Sequence, residues 1–189
     1  MFLQIGGKLE SDFTQPLGML SDCHKRIQHF LHILVTTAGQ AGDAPLTHGQ
    51  HGILDSALRY FRDAAPKHTA DEEQSLFPRM RGVDSARVRE TLSRMQGLEA
   101  DHKQAVQRHA EVDAIVLKWM TEGVLADGQR ELLKTILNDL SGLYHSHIAL
   151  EESEIFPLAK AILPEAEKQA MGREMAQRRG IVVEGTSRR

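Results

Sequence analysis

Residues 68–78 read HTADEEQSLFP, and residues 147–157 read HIALEESEIFP. The two stretches share a His, an Ala, a Glu-Glu pair, an aliphatic residue, a Phe and a Pro at the same offsets. In each copy the His and the first Glu are four residues apart, so on a helix they lie on one face, one turn from each other. An imidazole and a carboxylate placed in this way can both reach one metal ion.

The similarity extends upstream of both stretches. Residues 22–25 read DCHK and residues 100–103 read ADHK. The His of the first short segment precedes the His of its long stretch by 44 residues (68 − 24), and the second does so by 45 (147 − 102). The chain is therefore predicted to form two helical hairpins of one design. Together they supply six potential metal donors, which are His24, His68, Glu72, His102, His147 and Glu151.

Length and composition limit the class of protein. The 189 residues suit one domain over residues 1–189, and few aromatic residues and six prolines favour packed helices. The single cysteine excludes an internal disulfide and a cysteine-based metal site. The first residues do not resemble a secretion signal, and no run of about 18 apolar residues could span a membrane. We therefore expect a cytoplasmic protein, and the net charge of −3 gives no reason to expect nucleic acid as a partner.

The apolar periodicity predicts an all-α fold, an up-down-up-down four-helix bundle with a short additional C-terminal helix. The bundle should cover about residues 16–162, with the extra helix and the tail in 163–189. A capping box of Thr47 and Gln50 should begin the second helix, and Pro66 should kink it. The predicted helices run from Pro16 to about Ala38, from Thr47 to Phe77-Pro78, from an Asp84 cap to about Glu122, from Asp127 onward, and from about Pro164 to Arg179.

The inward face of the third helix carries polar residues in its predicted seam. That seam consists of Val88, Leu92, Met95, Glu99, His102, Val106, His109, Asp113, Val116 and Met120. The seam of the fourth helix contains Tyr144, His147, Glu151 and Glu154. Buried carboxylates are costly unless they are paired or bind a metal. A polar network without metal, or helix pairs facing water, would explain one His-x-x-x-Glu motif, but two copies with two further inward His favour a metal site.

The donor set limits the choice of metal. Imidazole and carboxylate donors without thiolate suit iron, manganese or zinc. Six protein ligands exceed the number that one tetrahedral zinc uses. Two carboxylates that can bridge, with His on either side, favour a binuclear centre with iron as the expected occupant.

These residues resemble the hemerythrin-like (HHE) cation-binding domain family over about residues 16–162. The resemblance implies a four-helix bundle that holds two iron ions with an oxo or hydroxo bridge, and zinc or manganese as substitutes. Glu72 and Glu151 would bridge the ions, and the four matching His would be terminal ligands. Members of the family bind dioxygen, sense oxygen or iron, store iron, or respond to nitrosative and oxidative stress.

One position departs from the oxygen-carrying members, which supply a further His four residues after the first on helix 3. Here that position is Val106, so the coordination should be more open or use another donor. Glu99, one turn before His102, is the first candidate for an additional ligand. His109 is seven residues from His102, about 10 Å along a helix, which favours a core or tunnel-lining role over ligation.

Four other residues complete the predicted surroundings. Tyr144, one turn before His147, could hydrogen-bond an oxygen species at the metal, although a packed core tyrosine is the alternative. His51 is 17 residues before the first motif, about 25 Å along a helix, and is excluded as a ligand. Glu73 and Glu152 point about 100° away from the preceding glutamates, which predicts supporting or surface roles.

The leading functional hypothesis is a binding protein. It would bind or sense dioxygen or a similar small ligand, or handle iron under oxidative or nitrosative stress. The alternative is a di-iron enzyme that acts on peroxide or nitric oxide, by a catalase-like or stress-repair activity. A third hypothesis is a regulatory scaffold that iron stabilises. The sequence identifies no protein partner.

Overall fold

Five helices account for most of residues 10–40 and 44–182, the part of the chain that the computed structural model describes. Helix α1 is Pro16–Gly39, α3 is Ala86–Glu122 and α5 is Glu165–Arg178. Helix α2 covers residues 48–81 and α4 covers residues 127–162, and each contains π-helical turns. No strand occurs in the described ranges, so the prediction of an all-α fold is confirmed.

The π-helical turns each precede a proline. In α2, His48–Arg59, Ala65–Asp71 and Phe77–Arg81 are α-helical, and Tyr60–Ala64 and Glu72–Leu76 are π-helical. In α4, Asp127–Leu150 and Phe156–Ile162 flank the π-helical turn Glu151–Ile155. Each of these wide turns ends two residues before a proline, whose ring would clash with the carbonyl four residues earlier in a regular α-helix. The extra residue in the turn relieves this clash, so α2 continues past Pro66 without a break.

Helices α1 to α4 form a four-helix bundle, because consecutive helices pack against each other and α1 also packs against α4. Short connections between packed neighbours make them antiparallel. Helix α5 lies against α1 and α2. Within the described residues, no helix combines the length and the apolar character that crossing a membrane requires.

The core of the bundle consists of two apolar clusters. One contains a buried residue from each long helix, for example Leu34, Leu54, Trp119 and Ile136. The other, at the end that α5 covers, contains Leu20, Phe77, Met95, Ile155 and Met171. Along α1, α2 and α3 the predicted metal donors fall between the residues of these two clusters, and on α4 His147 adjoins Ile148 of the first cluster while Glu151 lies between the clusters. The donors therefore form a buried polar layer that apolar side chains separate from both ends of the bundle.

The capping box that was predicted for α2 is confirmed. The Thr47 hydroxyl accepts a hydrogen bond from the backbone N–H of Gln50, whose side chain accepts one from the backbone N–H of Thr47. The Asp84 cap is wrong, because Ser85 occupies the N-cap position of α3 and its side chain makes no capping hydrogen bond. The carboxylate of Asp84 instead forms an ion pair with Arg89.

The inward face of α3 also differs from the predicted seam. The predicted seam consisted of two adjacent rows of residues. The row of Met95, His102, His109 and Val116 lies on the bundle side as predicted, but the buried row next to it is on the opposite flank from the predicted one. Leu98, Ala105, Val112 and Trp119 are buried, whereas Val106 is 63% exposed. The buried row is the more apolar of the two, so this signal was present in the sequence. The prediction for Glu154 in α4 also fails, because its partly exposed carboxylate forms an ion pair with Arg94.

A buried carboxylate fastens α5 to α2. Asp71 is fully buried, and its two oxygens accept hydrogen bonds from Arg178 Nη1 at 2.8 Å and Arg179 Nη2 at 2.6 Å. Arg79 extends the contact with hydrogen bonds to both oxygens of Glu174. The arginines at the end of α5 thus hold α5 against the turn before Glu72.

Candidate metal centre

Six predicted donors from four helices meet in the polar layer between the two apolar clusters. Helix α1 supplies one His, α3 supplies one His, and α2 and α4 each supply a His and the Glu at the start of a π-helical turn. All six side chains are buried, and both glutamates have no exposed surface. These residues are His24, His68, Glu72, His102, His147 and Glu151.

The donors form two groups that share both glutamates. In the first group His24 and His68 lie with Glu72 and Glu151, and one ligand atom from each residue lies within 4.8 Å of the others. In the second group His102 and His147 lie with the same two glutamates, under the same limit. Each group, with two His and the two common carboxylates, could hold a cation.

Individual distances show how the imidazoles face the carboxylates. His24 Nε2 lies 3.0 Å from Glu151 Oε2, and His68 Nε2 lies 3.2 Å from Glu72 Oε1. In the other group His102 Nε2 lies 3.3 Å from Glu72 Oε2. His147 Nε2 lies 3.4 Å from Glu151 Oε2. Both oxygens of Glu72 therefore face a His, one from each group, as a bridging carboxylate would.

Six of the candidate donor atoms lack a hydrogen-bond partner in the described part of the chain, and a metal ion would provide one. The buried Nε2 atoms of His24 and His102 and all four carboxylate oxygens of Glu72 and Glu151 make no hydrogen bond there. Leaving a buried charged oxygen unpaired is expensive, and native proteins rarely do so without a role for the atom. Metal coordination would satisfy these atoms together.

The opposite ring nitrogens of three of the His are held by carboxylates. His24 Nδ1 donates to Glu152 Oε1 at 2.7 Å, and His102 Nδ1 donates to Glu73 Oε1 at 2.9 Å. In both cases the acceptor directly follows a shared glutamate of the other hairpin, so each hairpin orients the lone His of its partner. Such a hydrogen bond fixes the tautomer and leaves Nε2 free to bind a metal.

The third of these contacts was missed by sequence reasoning. His147 Nδ1 donates to Asp101 Oδ2 at 3.3 Å. Asp101 directly precedes His102, whereas Asp22 lies two residues before His24 and accepts a hydrogen bond from the backbone N–H of Ser11. The repeat therefore indicated an acidic residue near each lone His without indicating its partner.

The electrostatics of the metal-free cluster also reflect this arrangement. Burial by itself would lower the pKa of His24, but the nearby carboxylates of Glu151 and Glu72 outweigh it and raise the pKa to about 10. For His102 burial is likewise outweighed, by Glu72 and Glu73, which raise its pKa to about 9. Burial would raise the pKa of Glu72, but the surrounding His lower it well below its usual range.

The three residues predicted as additional ligands or neighbours of the centre, Glu99, His109 and Tyr144, belong to neither group. Glu99 Oε1 accepts a hydrogen bond from Arg81 Nη2 of α2 at 2.6 Å, and its side chain is 28% exposed. It is therefore wrongly placed for the seventh ligand. His109 and Tyr144 lie farther along the bundle, where His109 Nε2 and the Tyr144 hydroxyl are 3.0 Å apart.

A cavity connects this His–Tyr pair to the donors. Its volume is about 460 Å³, and its walls include the four His of the two groups as well as His109 and Tyr144. Burial lowers the pKa of His109 to about 4, so this imidazole is neutral at pH 7. Burial raises the pKa of the Tyr144 hydroxyl, which stays protonated. The pair offers uncharged hydrogen-bonding groups in an apolar wall.

Comparison with known proteins agrees with this geometry. The family model described as the hemerythrin HHE cation-binding domain matches residues 15–159. The chain belongs to the hemerythrin HHE domain family. Its matched range contains all six donors and the carboxylates that orient three of them, while α5 lies beyond it. Cation binding is the property that the family's description states, and the two His/Glu groups are residues that could hold the cations.

The chain is also similar to an uncharacterized protein of Haemophilus influenzae. The two are 25% identical over 169 residues, which cover 89% of this chain and 92% of the relative. The similarity therefore extends over most of the length of both proteins.

Proposed function

We propose that this hemerythrin-like protein is a non-haem di-iron protein that binds or senses dioxygen or a similar small ligand, or handles iron under oxidative or nitrosative stress. The observation that carries the proposal is the pair of four-residue groups that share two fully buried, otherwise unpaired glutamates. His24 and His68 would hold one ion and His102 and His147 the other, with Glu72 and Glu151 common to both.

Iron is proposed from the chemistry of the donors. Imidazole and carboxylate without thiolate suit iron, manganese and zinc, and binuclear iron sites in helical bundles use this donor set. When bound, a pair of iron ions supplies open coordination positions and one-electron redox changes to a small ligand. Zinc or manganese would occupy the same donors as substitutes.

The protein's own contribution is to orient the donors and to restrict water. Glu152, Glu73 and Asp101 fix the tautomers of three His by accepting from Nδ1. The apolar clusters on either side exclude solvent along the bundle axis. The cavity that reaches the donors provides a route for a small molecule from the side.

Metal analysis with an optical spectrum tests this proposal. Protein produced in iron-replete medium should contain about two irons per chain, as bundles with paired carboxylate sites do, and should absorb in the near ultraviolet. A Glu72→Gln/Glu151→Gln double variant should lose the metal. The matched control Glu99→Gln should retain it, because that carboxylate binds Arg81. One zinc per chain in a colourless protein would overturn the proposal.

The alternative proposal is an enzyme that acts on peroxide or nitric oxide. It is favoured by the cavity, because a neutral His109 and a protonated Tyr144 line the route to the donors and can hydrogen-bond a reactant. Steady-state turnover of peroxide by the iron-loaded protein would support the enzyme. Stable and reversible binding of dioxygen without turnover would support the binding protein.

A further inference from the structure

The cavity beside the donors opens through the side of the bundle between α2 and α3. The exposed or half-buried residues in its wall come from facing rows of these two helices, with Arg62 and Pro66 on α2 and Val106 and Asp113 on α3. Arg62 Nε donates to Asp113 Oδ1 at 2.5 Å across this opening. The buried imidazoles of the metal donors line the inner end.

The volume of the cavity is large for a diatomic ligand. At about 30 Å³ for each water molecule in the liquid, 460 Å³ equals the volume of roughly 15 waters. Pockets of about 300–1,000 Å³ are typical of sites for organic molecules and cofactors. Dioxygen, nitric oxide and peroxide would each occupy only a small part of this space.

Small side chains on the facing helices create the space. Ala65 on α2 and Ala105 on α3 line the cavity, and Val106 points toward solvent with 63% of its surface exposed. A larger residue at Ala105 would fill the gap, because this position is 95% buried on the inward row of α3. The cavity therefore results from residue size at specific inward positions and not from a missing element of the fold.

The walls combine an apolar surface with one hydrogen-bonding pair. Ile27, Leu58 and Ile148 are among the aliphatic side chains that line the cavity. The ring of Phe61 stacks on His109, with centroids 4.0 Å apart and planes 21° from parallel, which fixes the imidazole next to the Tyr144 hydroxyl. A ligand here would find aliphatic contacts along its length and a hydrogen-bond partner partway along.

Charge complementarity favours an uncharged ligand. At the opening, the positive charge of Arg62 is already balanced by Asp113. The remaining wall outside the metal donors is aliphatic, aromatic or neutral polar. Along this part of the wall a charged molecule would lose its hydration without gaining a counter-ion, and this cost is several kcal/mol. A molecule with one hydroxyl or carbonyl oxygen can pair that oxygen with Tyr144 or His109.

We infer that this cavity binds an uncharged, mainly apolar organic molecule with one hydrogen-bonding oxygen, of the phenol class, next to the metal pair. The inference deepens the proposed function, on which it rests for the presence of the metals at the inner end. The walls that select the ligand are formed by residues that do not belong to the metal groups.

Binding of 2-naphthol to the full chain tests the inference, followed by its fluorescence in both the metal-free and the iron-loaded protein. Saturable binding with one molecule per chain is expected. Ala105→Leu should weaken binding at least ~10-fold by filling the cavity. The matched control Ala114→Leu, at an exposed position of the same helix that does not line the cavity, should leave binding unchanged.

Tyr144→Phe provides a second test that does not depend on filling the core. Loss of the hydroxyl should weaken 2-naphthol about 10-fold, the effect of one hydrogen bond of about 1.4 kcal/mol. Naphthalene, which has the same rings without oxygen, should bind both proteins equally, and the anion 2-naphthoate should bind neither. No saturable binding of 2-naphthol, or equal effects of the two leucine variants, would overturn the inference.

The outcomes also separate this inference from the proposed function. A chain that binds 2-naphthol in the expected pattern but takes up no iron would refute the di-iron proposal alone. If the protein contains two irons but the Ala105→Leu variant binds 2-naphthol as tightly as the parent protein does, only the inference about the organic ligand is refuted.

Discussion

The carboxylates that orient the lone His of each hairpin should control the affinity of one metal site each. Replacing Glu152 by Gln removes the negative charge that His24 Nδ1 faces at 2.7 Å, and Glu73→Gln does the same for His102 at 2.9 Å. The amide oxygen of Gln can still accept the hydrogen bond, so the imidazole should keep its orientation. The variants therefore test the charge and leave the packing nearly unchanged.

The expected loss can be estimated from the exposure of these carboxylates. Substituting the hydrogen-bond partner of a metal-bound His typically reduces metal affinity 10–100-fold. The side chain of Glu152 is 41% exposed and that of Glu73 is 34% exposed, so solvent screens part of their charge. We expect the lower end of this range, about 10-fold or ~1.4 kcal/mol for each variant. Asp101→Asn should have a smaller effect, because its contact with His147 is 3.3 Å long.

The sites should respond separately. Glu152→Gln should weaken the step that fills the His24/His68 group, and Glu73→Gln the step that fills the His102/His147 group. An anaerobic titration with Fe(II) against a chromophoric chelator resolves the two steps. In the double variant both steps should be weaker by the same amounts as in the single variants.

Glu99→Gln is the matched control for this experiment. It removes the same charge from α3, three residues from His102, but its carboxylate binds Arg81 at 2.6 Å. Both metal affinities should stay within twofold of the parent protein. If Glu99→Gln weakened either site as much as Glu73→Gln, or if neither Glu73→Gln nor Glu152→Gln had an effect, the role assigned to the Nδ1 contacts would be refuted.

Three further predictions concern stability. The pKa values of His24 and His102, about 10 and about 9, exceed the ordinary value of 6.5, so the folded metal-free protein retains protons that the unfolded chain releases. Its free energy of unfolding should therefore fall as pH rises from 6.5 to 10. Denaturant titrations that show an increase over this range would contradict the prediction. Asp71→Asn should reduce the free energy of unfolding by about 3 kcal/mol, because two arginines at the end of α5 lose a buried counter-ion. A reduction below about 1 kcal/mol in urea unfolding would argue against this role of Asp71. Gly172→Ala should reduce the free energy of unfolding by about 1–3 kcal/mol, since the new methyl group would overlap the backbone before α1. Gly142→Ala, where the methyl group would enter open space, should not reduce the free energy of unfolding in the same urea titration.

Several features of the fold could be predicted because they depend on local sequence. The capping box at Thr47 and the helical ends near Glu122 and Asp127 follow from side chains within one or two turns of each boundary. The six donors were identified for a similar reason, since a four-residue spacing on a helix fixes their common face. The repeat of this spacing in each hairpin indicated a shared site before any packing was known.

Other features needed the neighbouring helices. The sequence did distinguish Leu98 from Glu99 on α3, because the row with Leu98 is the more apolar, but only the packed helices show that a cavity remains beside Val106. The π-helical turns shift the residues after Glu72 and Glu151 around their helices, and a regular helical period does not contain this shift.

The sequence by itself determined the helices, the repeated His and Glu pairs and the kind of cation that they suit. These properties depend on residue types and on spacings of a few positions along one chain segment. Only the tertiary structure decided that Glu152 orients His24, that Glu73 orients His102, and that a cavity remains between α2 and α3. These contacts join residues up to 128 positions apart, so they follow from the angle and depth at which the helices pack and not from the order of the residues.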